Sequence, residues 1–290
     1  MSPAPRRRAG PSSRRPPVVI VGMGRLGGAL ALALQAKRWP VRVHSRTDAG
    51  RQRAEALGLK PATPADLKRA RVVLLCVPDA SVPPVAQALS TTLPRTAALV
   101  HTAGALSLDA LGPARGGRSR GSFHPLCAVS SPRDSLAGST VAVSTRSPAL
   151  RDVLRRIAVD AGMRIIEVPE AHRAAYHAGA VLSAGGLVAL ADAAVSALGA
   201  AGIRPEDALA ALLPLMQSAI RGLESRGLAG GLTGPIVRGD AGVVAAHLEA
   251  LPAEVAPLYR LLSRRALRLA GDRLEPAART ALERLLTPSG

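Results

Sequence analysis

Aromatic side chains are nearly missing from this chain, which has one Trp, one Phe and two Tyr in 290 residues. That leaves no material for the base-stacking platforms of a single-strand nucleic-acid module, and Ala, Leu and Val must fill the core. Cysteine is almost as scarce. Cys76 and Cys127 support neither a disulfide framework nor a paired-cysteine metal site, and a reducing, cytoplasmic setting follows. Lysine occurs only at Lys37, Lys60 and Lys68, so the net charge of +18 is carried by arginine. Five of those arginines, Arg6, Arg7, Arg8, Arg14 and Arg15, fall in a Pro- and Ser-rich opening segment. Residues 1–15 are expected to be a disordered basic tail, with docking on nucleic acid or another acidic surface as the rival reading. These arginines lead into Pro-rich sequence and not into the apolar core of a signal peptide. Only residues 174–201 are apolar for long enough to span a bilayer. They contain His177, Ser183, Asp192 and several glycines, so the expectation is a buried helix of a soluble domain, with no membrane and no nucleic-acid partner.

What the chain does have is a strong opening motif. Val18–Leu34 reads VVIVGMGRLGGALALAL. Its β-branched run suits a strand buried on both faces of a parallel sheet. Gly22, Gly24 and Gly27 then keep the GxGxxG spacing, and Leu26, Leu30 and Leu34 follow at helical intervals. Gly22 is expected to permit the tight turn, Gly24 to let a pyrophosphate approach the backbone, and Gly27 to let helix and strand pack closely. The helix N-terminus would offer free N–H groups to the phosphates. Arg25 and Leu26, inside the motif, are counted with the cofactor contacts.

The rest of the first half alternates in the same way. VRVH (41–44) reads as a second strand, ending in Ser45, Arg46 and Thr47, where an NAD site would usually carry an acid for the ribose 2′-hydroxyl. A guanidinium flanked by hydroxyls suits a 2′-phosphate instead, so the expected cofactor is NADP(H). Further strands are expected at 72–77, which leads into Pro78 and Asp79, and at 97–101, 140–144 and 164–168, with helices at 49–57, 64–69, from 82 and at 148–161. Asp79 is read as a cap for the helix from Val82. GSFHPL (121–126) is read as a loop. After Glu170 the strands stop. Helices are expected over 174–198, 205–222 (kinked or divided at Pro214), 241–251, 253–269 and 276–286. The organisation is therefore an α/β Rossmann-type, doubly wound parallel sheet over 16–169, followed by an all-helical domain over 170–290.

A reductase needs a proton donor and a grip on its substrate as well as a cofactor. His124, after a late strand, and His177, beside Tyr176, are the candidate acids, with His101 at another strand end behind them. In LTGPIVRGD (232–240), Thr233 and Arg238 could bind a substrate carboxylate; equally, Arg238 could simply pair with Asp240 while Asp240 caps the next helix. No spacing suggests a metal site.

VVIVGMGRLGGALA, SRT, VPD (77–79), HTAGAL (101–106), SFHPL (122–126), AAYHAGAVLSAG (174–185) and LTGPIVRGD together resemble a group of bacterial Rossmann-like proteins with a helical C-terminal domain of formerly unknown function. Their architecture is similar to that of the 6-phosphogluconate dehydrogenase and ketopantoate reductase superfamily. The resemblance implies NADP-binding contacts at Val77 and Pro78, a homodimer joined through the helical domain, and an active site with Ser183 near the substrate. It also implies an NADP-dependent oxidoreductase reducing a small 2-oxo acid, with ketopantoate, on the route to pantothenate, first. The alternatives are an imine reductase resembling pyrroline-5-carboxylate reductase and a dinucleotide-binding protein without turnover. The superfamily's helix lysine has no counterpart here.

Overall fold

The structure, a computed structural model, describes residues 15–113 and 115–287, without the side chain of Arg115. The arginines of 1–14 lie outside the described residues. Arg15 does not behave as part of a free tail. Its Nε lies 3.1 Å from Asp160, which also accepts from Trp39 Nε1 at 2.7 Å, and its guanidinium and that of Arg156 each lie 5.9 Å from the Trp39 ring.

Contacts divide the chain into two compact units, one ending at Val181 and the other beginning at Leu182. Among the described residues, the first holds seven strands: β1 (Val18–Val21), β2 (Val41–His44), β3 (Val72–Leu75), β4 (Ala98–His101), β5 (Arg120–Leu126), β6 (Thr140–Thr145) and β7 (Arg164–Glu167). Their spatial order is β2-β1-β3-β4-β5-β6-β7. The first five run parallel, β6 is antiparallel to β5, and β7 is parallel to β6. Alternation along β1 explains the two cores of this unit. Val18 and Ile20 face a cluster containing Leu30, Leu154 and Trp39, whereas Val19 and Val21 face one containing Val85 and Leu99. Helices α1 (Arg25–Ala36), α2 (Asp48–Ala56), α3 (Pro64–Arg69), α4 (Val82–Ser90) and α5 (Pro148–Asp160) connect the strands. Strand order reverses between β1 and β3, and in such sheets ligands sit beyond the strand C-termini at that point.

One strand was hidden in the sequence. GSFHPL is β5 and not a loop, because Pro125, which reads as a strand breaker, faces Val141 of β6 where β4 has already ended.

The expected helical boundary at residue 170 falls before α6 (Arg173–Ser183), which begins within the first unit. The single helix expected over 174–198 is instead α6 and α7 (Gly185–Ala200), interrupted at Ala184 before the Gly185–Gly186 pair. Nor is it buried. α7 has no buried residue, and Leu182 and Val188 are more than two-thirds exposed. The stretch 170–200 thus meets the length and hydropathy of a bilayer span, at mean hydropathy 1.8, with no residue of its apolar window buried. α8 (Pro205–Gly231) runs through Pro214 without dividing, and loses helical dihedrals at Gly227, where φ is 69°. α9 (Pro235–Arg238), α10 (Ala241–Ala250), α11 (Ala256–Ala270) and α12 (Pro276–Leu286) complete the second unit around Val244, Leu267, Leu282 and Leu286.

Leu154 of α5 is fully buried. Leu154→Ala is expected to cost about 2–5 kcal/mol. Urea unfolding followed by fluorescence of the single tryptophan, Trp39, which lies in the same core, measures it.

Candidate functional site

The glycine turn between β1 and α1 has the geometry its spacing implies. Gly22 sits at φ 98°, and a Cβ there would lie 2.4 Å from the carbonyl oxygen of Cys76, at the end of β3. A Cβ on Gly27 would lie 2.0 Å from the Gly22 oxygen, so helix and turn touch backbone to backbone. Gly24 differs: nothing lies within 4 Å of the place its Cβ would take. It is the N-cap of α1 and makes no side-chain cap, and the first turn carries no acid. By contrast, Thr47 and Thr63 cap α2 and α3. The α1 N-terminus therefore keeps free N–H groups facing open space, an arrangement that fits an anion such as a pyrophosphate. Arg53 donates to the Met23 carbonyl at 2.8 Å and braces the turn from α2.

At the end of β2, Ser45 and Thr47 hydroxyls lie 3.4 Å apart, and Arg46 is exposed. Arg51, which sequence reasoning passed over, bonds the Ser45 and Arg46 carbonyls and pairs with Asp48. It lines a cleft of about 400 Å³ with His44, Ser45, Leu59 and Pro61, large enough for a purine ring. The cleft suits the adenosine end of a dinucleotide, with Ser45 and Arg51 on its wall. Val77 and Pro78 follow β3 at the same sheet edge. Asp79 does not cap α4, whose N-cap is Ser81; its charge acts on Arg173. Burial pushes the Cys76 thiol up to about 12, which suits packing and not nucleophilic attack.

Beyond β4 and along β5 lies a second cluster. Arg173, Tyr176 and His177 share one face of α6 by their spacing of three and four residues. Arg173 is only 2% exposed. It donates to Ser122 Oγ at 2.6 Å, to the Ala103 carbonyl at 2.7 Å and to the Gly104 carbonyl at 3.0 Å, with Glu170 3.8 Å away. Tyr176 Oη and His124 Nδ1 are 2.6 Å apart, their rings edge to face at 5.7 Å. His177 packs edge-on against His124 at the same separation. The structure thus brings together the two histidines that the sequence proposes separately. The residues it missed are Arg173 and Tyr176, which only the helical spacing from His177 could have suggested, and Gly104. A Cβ on Gly104 would lie 2.2 Å from His177 Nδ1 and 3.0 Å from His124 Cε1, so the imidazoles meet only over a glycine.

Burial, then His177 and Arg173, lower His124 to about 4, and burial raises Tyr176 to about 12. At neutral pH both are uncharged. His124 is consequently neutral and not the cationic acid expected of a histidine at neutral pH. His101 is fully buried; burial, with Arg173, lowers it to about 4 as well.

Ser183, Thr233 and Arg238 belong to the second unit. Ser183 ends α6, Thr233 precedes Gly234 at φ 100°, and Arg238 Nε binds Asp240 at 2.8 Å. Asp240 occupies the N-cap of α10, but its carboxylate faces Arg238 and bonds no helix N–H.

Comparison with known proteins agrees with this architecture. Residues 3–125 match the Rossmann-like domain, and residues 139–266 match the domain of unknown function DUF2520. The two matches place a Rossmann-like domain before a DUF2520 domain in this chain. Among solved structures, protein TM1727 of Thermotoga maritima is 25% identical over 87% of this chain and 98% of its own, with a TM-score of 0.69. BF3122 of Bacteroides fragilis, provisionally named an NADP oxidoreductase, is 24% identical over 88% and 98%, at 0.68. The pyrroline carboxylate reductase of Plasmodium falciparum, solved with NADP bound, is 11% identical over 96% and 100%, at 0.58, and shares the fold. No functionally curated protein matches the chain.

Gly104→Ala is expected to destabilise the protein by about 1–3 kcal/mol through overpacking, whereas Gly24→Ala, with open space around it, should leave urea-unfolding midpoints nearly unchanged. His101 supplies a pH dependence. Its folded pKa of about 4 lies below the ordinary 6.5, so the unfolded chain binds the proton first on acidification. Stability is then flat above pH 6.5 and falls between pH 6.5 and 4, by about 2 kcal/mol at pH 5. His101→Gln should remove that part of the slope, read as the difference in unfolding free energy between pH 7 and pH 5.

Proposed function

We propose that the protein is a cytoplasmic, NADPH-dependent oxidoreductase that reduces the carbonyl of a small 2-oxo acid, with ketopantoate the first compound to test. The observation that carries the reading is His124, held by Tyr176 over Gly104 and backed by the buried Arg173, beyond strands whose glycine turn leaves an anion site open. The oxidoreductase class is also that of solved neighbours with this fold, among them the pyrroline carboxylate reductase with NADP and an imine reductase of Myxococcus stipitatus with NAD+.

In this reading the N–H groups of α1 hold the pyrophosphate, and Ser45, Arg46 and Thr47, aided by Arg51, bind the 2′-phosphate. Bound NADPH supplies the hydride. His124 donates a hydrogen bond to the carbonyl oxygen and gives it a proton as negative charge develops there. His177 and the Gly104 backbone fix the imidazole plane and exclude water from its inner side. Arg173 contributes a positive field that favours an oxyanion. The same field opposes a protonated imine, which is why a carbonyl substrate is preferred over the imine alternative. We further propose a homodimer formed through the second unit, whose uncovered leucines on α7 and α8, including Leu187, Leu190, Leu213 and Leu215, form an apolar surface suited to burial against a second copy.

Titration with NADPH and NADH, followed by ketopantoate, tests the reading. NADPH should bind at least about tenfold tighter, a gap of about 1.4 kcal/mol, and Arg46→Ala should close most of that gap. Oxidation of NADPH on adding the oxo acid supports the full proposal. Consumption with cyclic imines alone would move it to the imine class, and tight binding without turnover on either panel would overturn it in favour of a non-catalytic dinucleotide-binding protein.

A further inference from the structure

Tyr176 is half-buried, neutral and bonded to the proposed donor. Its hydroxyl makes one hydrogen bond, at 2.6 Å, to Nδ1 of His124. With the phenol as donor, Nδ1 carries the lone pair, Nε2 carries the proton and the opposite edge of the imidazole is the donating edge; with Nδ1–H as donor the roles reverse. Arg173, one turn earlier on the same helix, acts on the phenol electrostatically in the sense that favours its anion.

We infer that Tyr176 is a further catalytic residue, the source of a two-proton relay through His124. The inference rests on the carbonyl-reductase reading of the same site. As the carbonyl carbon accepts hydride from the reduced nicotinamide dinucleotide, the Nε2–H bond of His124 breaks and its proton goes to the developing alkoxide. Nδ1 takes the Tyr176 proton at the same time. The products are the alcohol, a neutral His124 in the other tautomer, and a Tyr176 phenolate beside the Arg173 guanidinium. After the alcohol leaves, a proton from solvent enters at Nε2 as the Nδ1 proton returns to the phenolate, which resets the pair. No imidazolium forms at any stage, which is how a histidine held neutral by its surroundings can still deliver a proton. The alternative, a Tyr176 that merely packs, would leave His124 free to adopt either tautomer.

Two measurements decide it. In the free protein with ¹⁵N-labelled histidine, long-range ¹H–¹⁵N spectra at pH 7 should show His124 as the Nε2–H tautomer, and Tyr176→Phe should shift it towards a mixture. With turnover, the wild type should give a curved proton inventory in mixed H₂O and D₂O. Tyr176→Phe should turn over at least tenfold more slowly, with a linear inventory and unchanged NADPH affinity. A wild-type His124 protonated at Nδ1, or a Tyr176→Phe protein within twofold of wild-type turnover, overturns the relay and leaves the reductase reading standing. A wild type that turns over no carbonyl compound overturns the reductase reading, and the relay falls with it even if the tautomer is as expected.

Discussion

A guanidinium with 2% of its surface exposed has to be compensated where it lies, and Arg173 is compensated by the parts that make up the site. Removing such a charge from water costs several kcal/mol. Hydrogen bonds from a charged donor contribute about 1.5–3 kcal/mol each, and Arg173 makes three, to the Ser122 hydroxyl and to the Ala103 and Gly104 carbonyls, with Glu170 nearby. Those contacts tie α6 to β5 and to the turn after β4. Once they are made, the helical repeat leaves Tyr176 and His177 no choice but to meet His124. The site is thus a consequence of how one buried cation is satisfied.

The same cation sets the electrostatics. It opposes protonation of His101 and His124 and favours a tyrosinate at Tyr176. Burial acts on all three groups towards neutrality. The result is a cluster in which Arg173, with Glu170 beside it, faces a neutral His101, His124 and Tyr176. The glycine turn is organised differently. There the useful property is an absence: α1 lacks the side-chain cap that α2 and α3 possess, and Gly24 leaves open space before the free N–H groups.

Much of the fold was legible because it rests on local patterns. The β-branched runs at 18–21 and 72–75, the glycine spacing and the proline-led helices at 148 and 276 all encode their structure within a few residues. The misreadings were of the other kind. β5 was hidden because Pro125 is acceptable only where β4 has ended, which depends on strand lengths elsewhere. The uncovered face of α7 was read as buried because hydropathy says that a surface should be covered without saying by what.

From the sequence alone came the α/β order, the strand–glycine–helix turn, the cationic end of β2 and the two candidate histidines, since each is written in contiguous residues. Tertiary structure decided that those histidines meet, that they meet over Gly104, that Tyr176 bonds one of them, and that both it and His124 are uncharged at neutral pH. Those outcomes depend on burial and on contacts between residues 50 to 70 positions apart. A pKa or a ring-to-ring contact is a property of an environment, and an environment exists only once the chain has folded.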